Sequence, residues 1–138
     1  MAETVKLDLV SPEKLLMSKD VEMAILPAAE GDMGVLPGHS PVISTVRPGT
    51  IAVFNGNTVE ERIFVAGGFV EVNEEGCIIL AETAIPVSEL DAAAVQTEVS
   101  NLRDDVNAAK DDAEKADAEA ALAIAEAKLE AVQAPAYS

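Results

Sequence analysis

The hydrophobic period changes once along this sequence, at Ile85-Pro86-Val87-Ser88, and that change divides it into two parts that fold by different rules. Before it, apolar residues recur every second position. Thr4-Val5-Lys6-Leu7-Asp8-Leu9 puts Val5, Leu7 and Leu9 on one face of a strand, and Val21-Glu22-Met23-Ala24-Ile25 repeats the pattern. Ile51-Ala52-Val53-Phe54 and the run from Thr58 to Val65 flank Asn55-Gly56-Asn57, which predicts a tight hairpin. Val70-Glu71-Val72 and Cys77-Ile78-Ile79-Leu80 predict a second hairpin around Asn73-Glu74-Glu75-Gly76, and Gly67-Gly68 marks a bulge or a close backbone approach. Many short strands with frequent turns predict an antiparallel β-sandwich over residues 1–87.

After the change the spacing is helical. Val95, Val99, Leu102 and Val106 follow a 4-3-4 rhythm, as do Ala118, Leu122, Ala125, Leu129 and Val132 with 4-3-4-3. Ser88 is the expected helix cap, with Asp91 in the capping-box position. Asn107 is a candidate stop, and Asp111 with Glu114 a candidate cap for a second helix. Residues 88–138 are therefore expected to form an antiparallel helical hairpin, with helices over roughly 89–107 and 112–133, although no glycine or proline forces the break. Few large side chains are available to dock this tail, so its attachment should be modest.

Within the first part, Pro27 to Pro41 holds three glycines, three prolines and the only histidine. Proline lacks an amide donor and glycine loses the most backbone entropy on ordering, so no helix crosses this segment. Met33, Val35 and Leu36 make it too apolar for a linker. Tight turns and short strands are expected to hold Glu30, Asp32 and His39 on a rigid edge.

Composition excludes several functions. A net charge of −16 opposes nucleic acid and direct adhesion to an anionic membrane. No run approaches the ~20 apolar residues that span a bilayer, so direct membrane insertion is not expected. The first twenty residues lack an apolar core or an Arg-rich pattern, which points to a soluble, untargeted protein. Cys77 is the only cysteine and reads as a core side chain. His39 has no second histidine or cysteine at ligand spacing, and no phosphate-binding glycine loop occurs. No catalytic residue, metal site or cofactor is expected; the protein reads as a binding or mechanical part.

These residues resemble the epsilon subunit of bacterial F-type ATP synthases. Glu30 to Pro41 matches the signature Glu-Gly-Asp-x-Gly-x-x-Pro-Gly-His-x-Pro. Leu7 to Pro12, Val46-Arg47-Pro48-Gly49, Gly67 to Val72 and Ile79 to Ala84 resemble further family strands and turns in the same order. The resemblance implies a non-catalytic rotor component on the cytoplasmic face of the bacterial inner membrane, whose sandwich binds the gamma subunit and sits on the c-ring, coupling proton flow to ATP synthesis. It assigns Glu30, Gly31, Asp32 and His39 to the c-ring contact. It assigns His39, Ser40 and Val42 to the gamma contact.

In relatives the helical tail binds ATP or reaches the catalytic alpha/beta head. The ATP motif, Ile/Leu-Asp-x-x-Arg-Ala, is matched here at Leu90 and Asp91, but Ala94 stands in the arginine position. Without that guanidinium a triphosphate loses its fork-shaped partner. From Glu89 onward twelve acids face Arg103, Lys110, Lys115 and Lys128, a net of −8, which opposes docking on acidic segments of the head. The expectation is a coupling subunit whose tail inhibits hydrolysis weakly or not at all. Two alternatives stand beside it: an ATP-responsive inhibitory regulator, and an acidic β-sandwich adaptor unrelated to ATP synthase.

Overall fold

A computed structural model describes residues 3–135 and Tyr137; the outermost positions of the two expected segments, 1, 2, 136 and 138, lie outside the described residues. Eight strands come first: β1 Val5–Val10, β2 Leu15–Val21, β3 Met23–Ala28, β4 Gly31–Val35, β5 Val42–Thr45, β6 Gly49–Asn55, β7 Thr58–Asn73 and β8 Gly76–Pro86. A single 3-10 turn, Val87–Glu89, leads into α1 Ala92–Ala108 and α2 Asp112–Gln133. The strand order is β2-β1-β8-β7-β6-β3-β4, with β5 also on β7. All ladders are antiparallel except β1 with β8, which run parallel.

The sandwich is built around one long strand. The first half of β7 pairs with β6, its last residues pair with β5, and β8 follows it from Ile63 to Asn73. The layers exchange at Gly67-Gly68, both at positive φ (+75° and +109°). A Cβ on Gly68 would stand 1.8 Å from the carbonyl oxygen of Leu80, so only glycine lets the two backbones approach there. One layer is thus β2-β1 with the start of β8, the end of β7 and β5; the other is the remainder of β8 and β7 with β6-β3-β4. Val5, Leu7, Leu9, Val70, Val72 and Ile79 from the first meet Leu26, Val35, Ile51, Val53, Ile63 and Val65 from the second in one core.

Two hairpins follow their turn residues closely. Asn55 pairs with Thr58 across Gly56-Asn57, with Gly56 at φ +66° and its amide donating to the Glu22 carboxylate. Asn73 pairs with Gly76, and its side-chain oxygen accepts from the amides of Glu75 (2.8 Å) and Gly76 (3.1 Å). An expectation fails between β2 and β3. Val21 is buried, but a bend at Glu22 resets the alternation, so Ala24 and Leu26 face the core while Met23 and Ile25 are only half-buried. A one-residue reset moves every following side chain to the opposite face.

The helix boundaries also differ. Asp91, not Ser88, caps α1, its carboxylate accepting from the amides of Ala93 (2.9 Å) and Ala94 (3.4 Å). Residues 87–89 form the 3-10 turn instead, because Val87 and Leu90 are drawn against the sheet. The first helix runs on to Ala108, one residue past Asn107. Asp111 caps α2, accepting from the Glu114 amide at 2.7 Å, while Glu114 accepts in return from the Lys110 amide at 3.4 Å. The hairpin seam joins Val95, Val99 and Leu102 to Leu122, Ala125 and Leu129. Arg103 to Glu126 and Lys128 to Glu98, both 3.4 Å, cross it.

A second face of α2 docks on the sandwich. Ile124, Ala127 and Ala131, together with Val87 and Leu90, cover Phe64 and Ala66 on the outside of β7. This explains why Ile51 to Phe54 and Ile63 to Ala66 are buried at every position and not at alternate ones. A strand enclosed on both faces loses its period-two pattern.

Candidate functional site

The segment from Pro27 to Pro41 folds into the edge of the sandwich. Ala28 pairs with Gly31 across Ala29-Glu30, which makes Glu30 part of a two-residue hairpin tip. Gly31 is at φ +145°. β4 is the last strand of the order, so Asp32 lies on an unpaired edge. Beyond β4 the backbone turns at Pro37-Gly38, where the His39 amide donates to the Leu36 carbonyl at 3.2 Å and Gly38 takes φ +78°. His39 then turns back on its own neighbour, its Nδ1 2.6 Å from the Ser40 carbonyl oxygen.

An open groove of about 580 Å³ runs between this hairpin tip and β5. Glu30, Gly31, Asp32 and Val42 line it, with Met33 and Ile43. Of the residues singled out in the sequence, these first four come together, whereas His39 and Ser40 stand in the turn outside the groove. Ile43 contributes a side chain that is 71% exposed, an apolar element that sequence pattern does not reveal because β5 is only four residues long.

Electrostatics at the groove centre on Asp32. Arg47 donates from Nη2 to Asp32 Oδ1, and from Nη1 to the Ala28 carbonyl at 3.0 Å. The hydroxyl of Tyr137 donates to Asp32 Oδ2. The Tyr137 bond, then Arg47, holds the carboxyl below the ordinary carboxylate range against an opposing cost of burial, and Asp32 pushes the Tyr137 phenol upward in turn. The Arg47 partner follows from the short Val46-Arg47-Pro48-Gly49 turn beside β3, where the Arg47 amide also donates to the Pro27 carbonyl at 3.0 Å. Nothing in local spacing points to Tyr137.

The residues matching the ATP motif have structural work in this fold. Leu90 packs beside Phe64 and Ala131, Asp91 caps α1, and Ala94 is exposed on that helix. A larger cleft, about 810 Å³, opens between β2, the start of β7 and residues 86–89. Its charged lining is Glu60, Glu61, Glu89 and Arg62, a mainly acidic surface that opposes a triphosphate. Cys77 is buried, and burial pushes its thiol up to about 12, leaving it unreactive at neutral pH. Among the described residues no group of three or more His, Cys, Asp or Glu is arranged to hold a metal ion, and no helix is long and apolar enough to cross a membrane.

Comparison with known proteins adds to this geometry. The family described as "ATP synthase, Delta/Epsilon chain, beta-sandwich domain" matches residues 4–87, and the family of the C-terminal domain of the ATP synthase epsilon chain matches residues 91–137. The sequence is 50% identical over 99 residues to the ATP synthase epsilon chain of Rhodospirillum rubrum, covering 72% of this protein and 74% of that one. It is 51% identical over 100 residues to the protein of the same name from Parvibaculum lavamentivorans, covering 72% and 76%. Among solved structures, one polypeptide in the cryo-EM structure of the Euglena gracilis mitochondrial ATP synthase, OSCP/F1/c-ring in rotational state 1, superimposes with a TM-score of 0.84. Its identity is 25%, and the match covers 94% of this protein and 82% of that one.

Proposed function

This chain belongs to the ATP synthase epsilon chain family, and from that premise we propose that it acts as a non-catalytic rotor subunit docking on gamma and the c-ring. The observation that carries the reading is the edge hairpin β3–β4, which presents Glu30, Gly31 and Asp32 beside an open groove. A backbone held by ladder bonds, a two-residue turn and Arg47 has little entropy left to lose when a partner docks. An acidic edge on a protein of net charge −16 selects basic or amide-bearing loops, and c-ring loops at the membrane surface are the assigned partner. Val42, on the opposite wall, belongs to the gamma contact together with His39 and Ser40 of the neighbouring turn. The subunit then works at the cytoplasmic face of the bacterial inner membrane, coupling proton translocation to ATP synthesis.

The tail has a secondary role in this reading. Arg103 and Lys128 are spent on Glu126 and Glu98 within the hairpin, so two of its four bases are already neutralised. What remains facing outward is mainly acidic, which disfavours contact with acidic segments of the catalytic alpha/beta head. The tail is therefore a weak inhibitor of hydrolysis at most. Ala94 in the arginine position and the acidic cleft beside residues 86–89 likewise argue against ATP as a ligand of the tail.

Two measurements test these assignments. Co-purification with gamma and the c-ring should be weakened by Glu30→Lys and left intact by Asp20→Lys, an exposed position on β2 at the opposite end of the strand order from β4. Equal retention of both variants would remove the groove from the contact. Hydrolysis by the matching catalytic head should proceed at the same rate with the full-length subunit and with a subunit truncated after Ser88. A clear rise on truncation would refute the charge argument and make the tail an inhibitor.

A further inference from the structure

Asp32 and Tyr137 stand 105 residues apart in sequence, yet the phenol hydroxyl donates directly to the carboxylate on the edge strand. Three further features fix Tyr137 where it lies. Its carbonyl accepts from Arg62 Nη2 at 3.3 Å, its ring meets Phe54 edge-on with centroids 6.0 Å apart, and its backbone takes φ +57°. It is the one non-glycine residue at positive φ among the described residues. Such a conformation persists only when surrounding contacts hold it. The segment after α2 is thus tied to β4, β6 and β7 at once.

This tie supplies the polar part of the tail's attachment. The docking face of α2 is mostly alanine, with Ile124 the largest side chain, and so buries little apolar area per turn. At the other end of the tie, Asp32 lines the groove, and with Tyr137 in place one carboxylate oxygen is bonded to Arg47 and the other to the phenol.

We propose that Tyr137 is a strap that fastens the helical tail to the sandwich edge, and that a cationic group of a docking partner displaces it from Asp32, so that filling the groove loosens the tail. A carboxylate bonds an ammonium or guanidinium more strongly than a neutral phenol, which gives the exchange its direction. The exchange is reciprocal: whatever releases the tail must also favour docking at the groove. The strap's attachment is independent of the function proposed above. Its release by the c-ring, the cationic partner assigned there, rests on that reading.

The sequence has one tyrosine and no tryptophan, so a single carbon-13 label at the phenol carbon reports on the strap alone. In the isolated full-length protein, Asp32→Asn should move this signal toward that of free tyrosine. Tyr137→Phe, which keeps the ring on Phe54 and leaves Asp32 intact, should speed amide exchange in α2 several-fold. Purified c-ring added to the labelled wild-type protein should produce the same shift as Asp32→Asn. Because a closed strap lowers the competent fraction, Tyr137→Phe should bind the c-ring roughly three- to tenfold more tightly. An unmoved signal in Asp32→Asn, or unchanged α2 exchange in Tyr137→Phe, overturns the strap. Binding of the c-ring that leaves the label unmoved overturns its release while the docking reading stands. No binding of either protein overturns the docking reading and, with it, release by the c-ring.

Discussion

Phe64 and Phe69 lie five residues apart on β7 and face different environments, which turns a pair of substitutions into a test of how the tail is attached. Phe64 is fully buried beneath Ile124, Ala127 and Ala131. Phe69, past the Gly67-Gly68 crossing, is 46% exposed. Removing a buried phenylalanine ring costs about 3–5 kcal/mol, part of it lost transfer energy and part the cavity that alanine-lined α2 cannot fill. A half-exposed ring gives up about 1 kcal/mol or less. With a urea dependence of about 1–3 kcal/mol per molar, Phe64→Ala should lower the unfolding midpoint by roughly 1–5 M and Phe69→Ala by a fraction of that. Amide exchange should add a spatial signature: in Phe64→Ala the α2 amides lose protection, whereas those of β1 and β8 keep theirs. Equal destabilisation by the two variants, or loss confined to the strands, would refute the assignment of α2 to the Phe64 face.

Other consequences are as direct. Gly68→Ala forces a methyl into the Leu80 carbonyl and should abolish soluble folded protein, whereas alanine at Gly34, where a Cβ meets nothing within 4 Å, should be tolerated; expression and circular dichroism separate the two. Asp91→Ala removes the cap of α1 and should cost about 1 kcal/mol, read as a lower thermal midpoint, while Ser88→Ala should change little. The pH dependence of the strap follows from its two groups. Asp32 is depressed below 3.8, so its contribution is complete above that value and disappears as pH falls through the depressed pKa. Tyr137 is raised above 10.0, so its contribution is complete below that value and disappears as pH climbs through the raised pKa. The label on Tyr137 should therefore be flat across neutral pH in the wild type and move only at the two extremes. Asp32→Asn should lose the acid transition.

Local rules made most of the fold legible and left its long-range contacts hidden. The alternation in β1, the turn residues at Gly56-Asn57 and Asn73-Gly76, and the helical seam all act within a few residues, where side-chain period and turn chemistry dominate. The close approach at Gly67-Gly68 was visible as glycine without its target, since Leu80 comes from the partner strand. The reset at Glu22 was not visible, because one bend leaves composition unchanged while reversing every face after it. The docking surface of α2 did leave a sign, in the uninterrupted apolar runs Ile51–Phe54 and Ile63–Ala66, which alternate nowhere because both sides are covered. At the candidate site, Glu30, Gly31 and Asp32 stood out in the turn-rich segment and its resemblance to the family signature, with Val42 only as a residue just beyond it; the groove that they share was not visible. The tie from Asp32 to Tyr137 was beyond any window of local pattern, since only the folded tail brings them together.

The long strand β7 also restricts where the protein tolerates a change of length. Its first half faces one layer and its second half the other, and both halves share β8 as neighbour. Adding or removing a single residue between 63 and 73, where β8 is the common neighbour, would invert the inward and outward sides in one layer while leaving the other in step, and β8 could not follow both. Length changes that bear on β7 are thereby confined to its flanking tips at Gly56-Asn57 and Glu74-Glu75, and the link between the helices, which pairs with no strand, is a third tolerant place. A library of one-residue insertions, sorted for folded protein, should come back empty between residues 63 and 73 and populated at those three places.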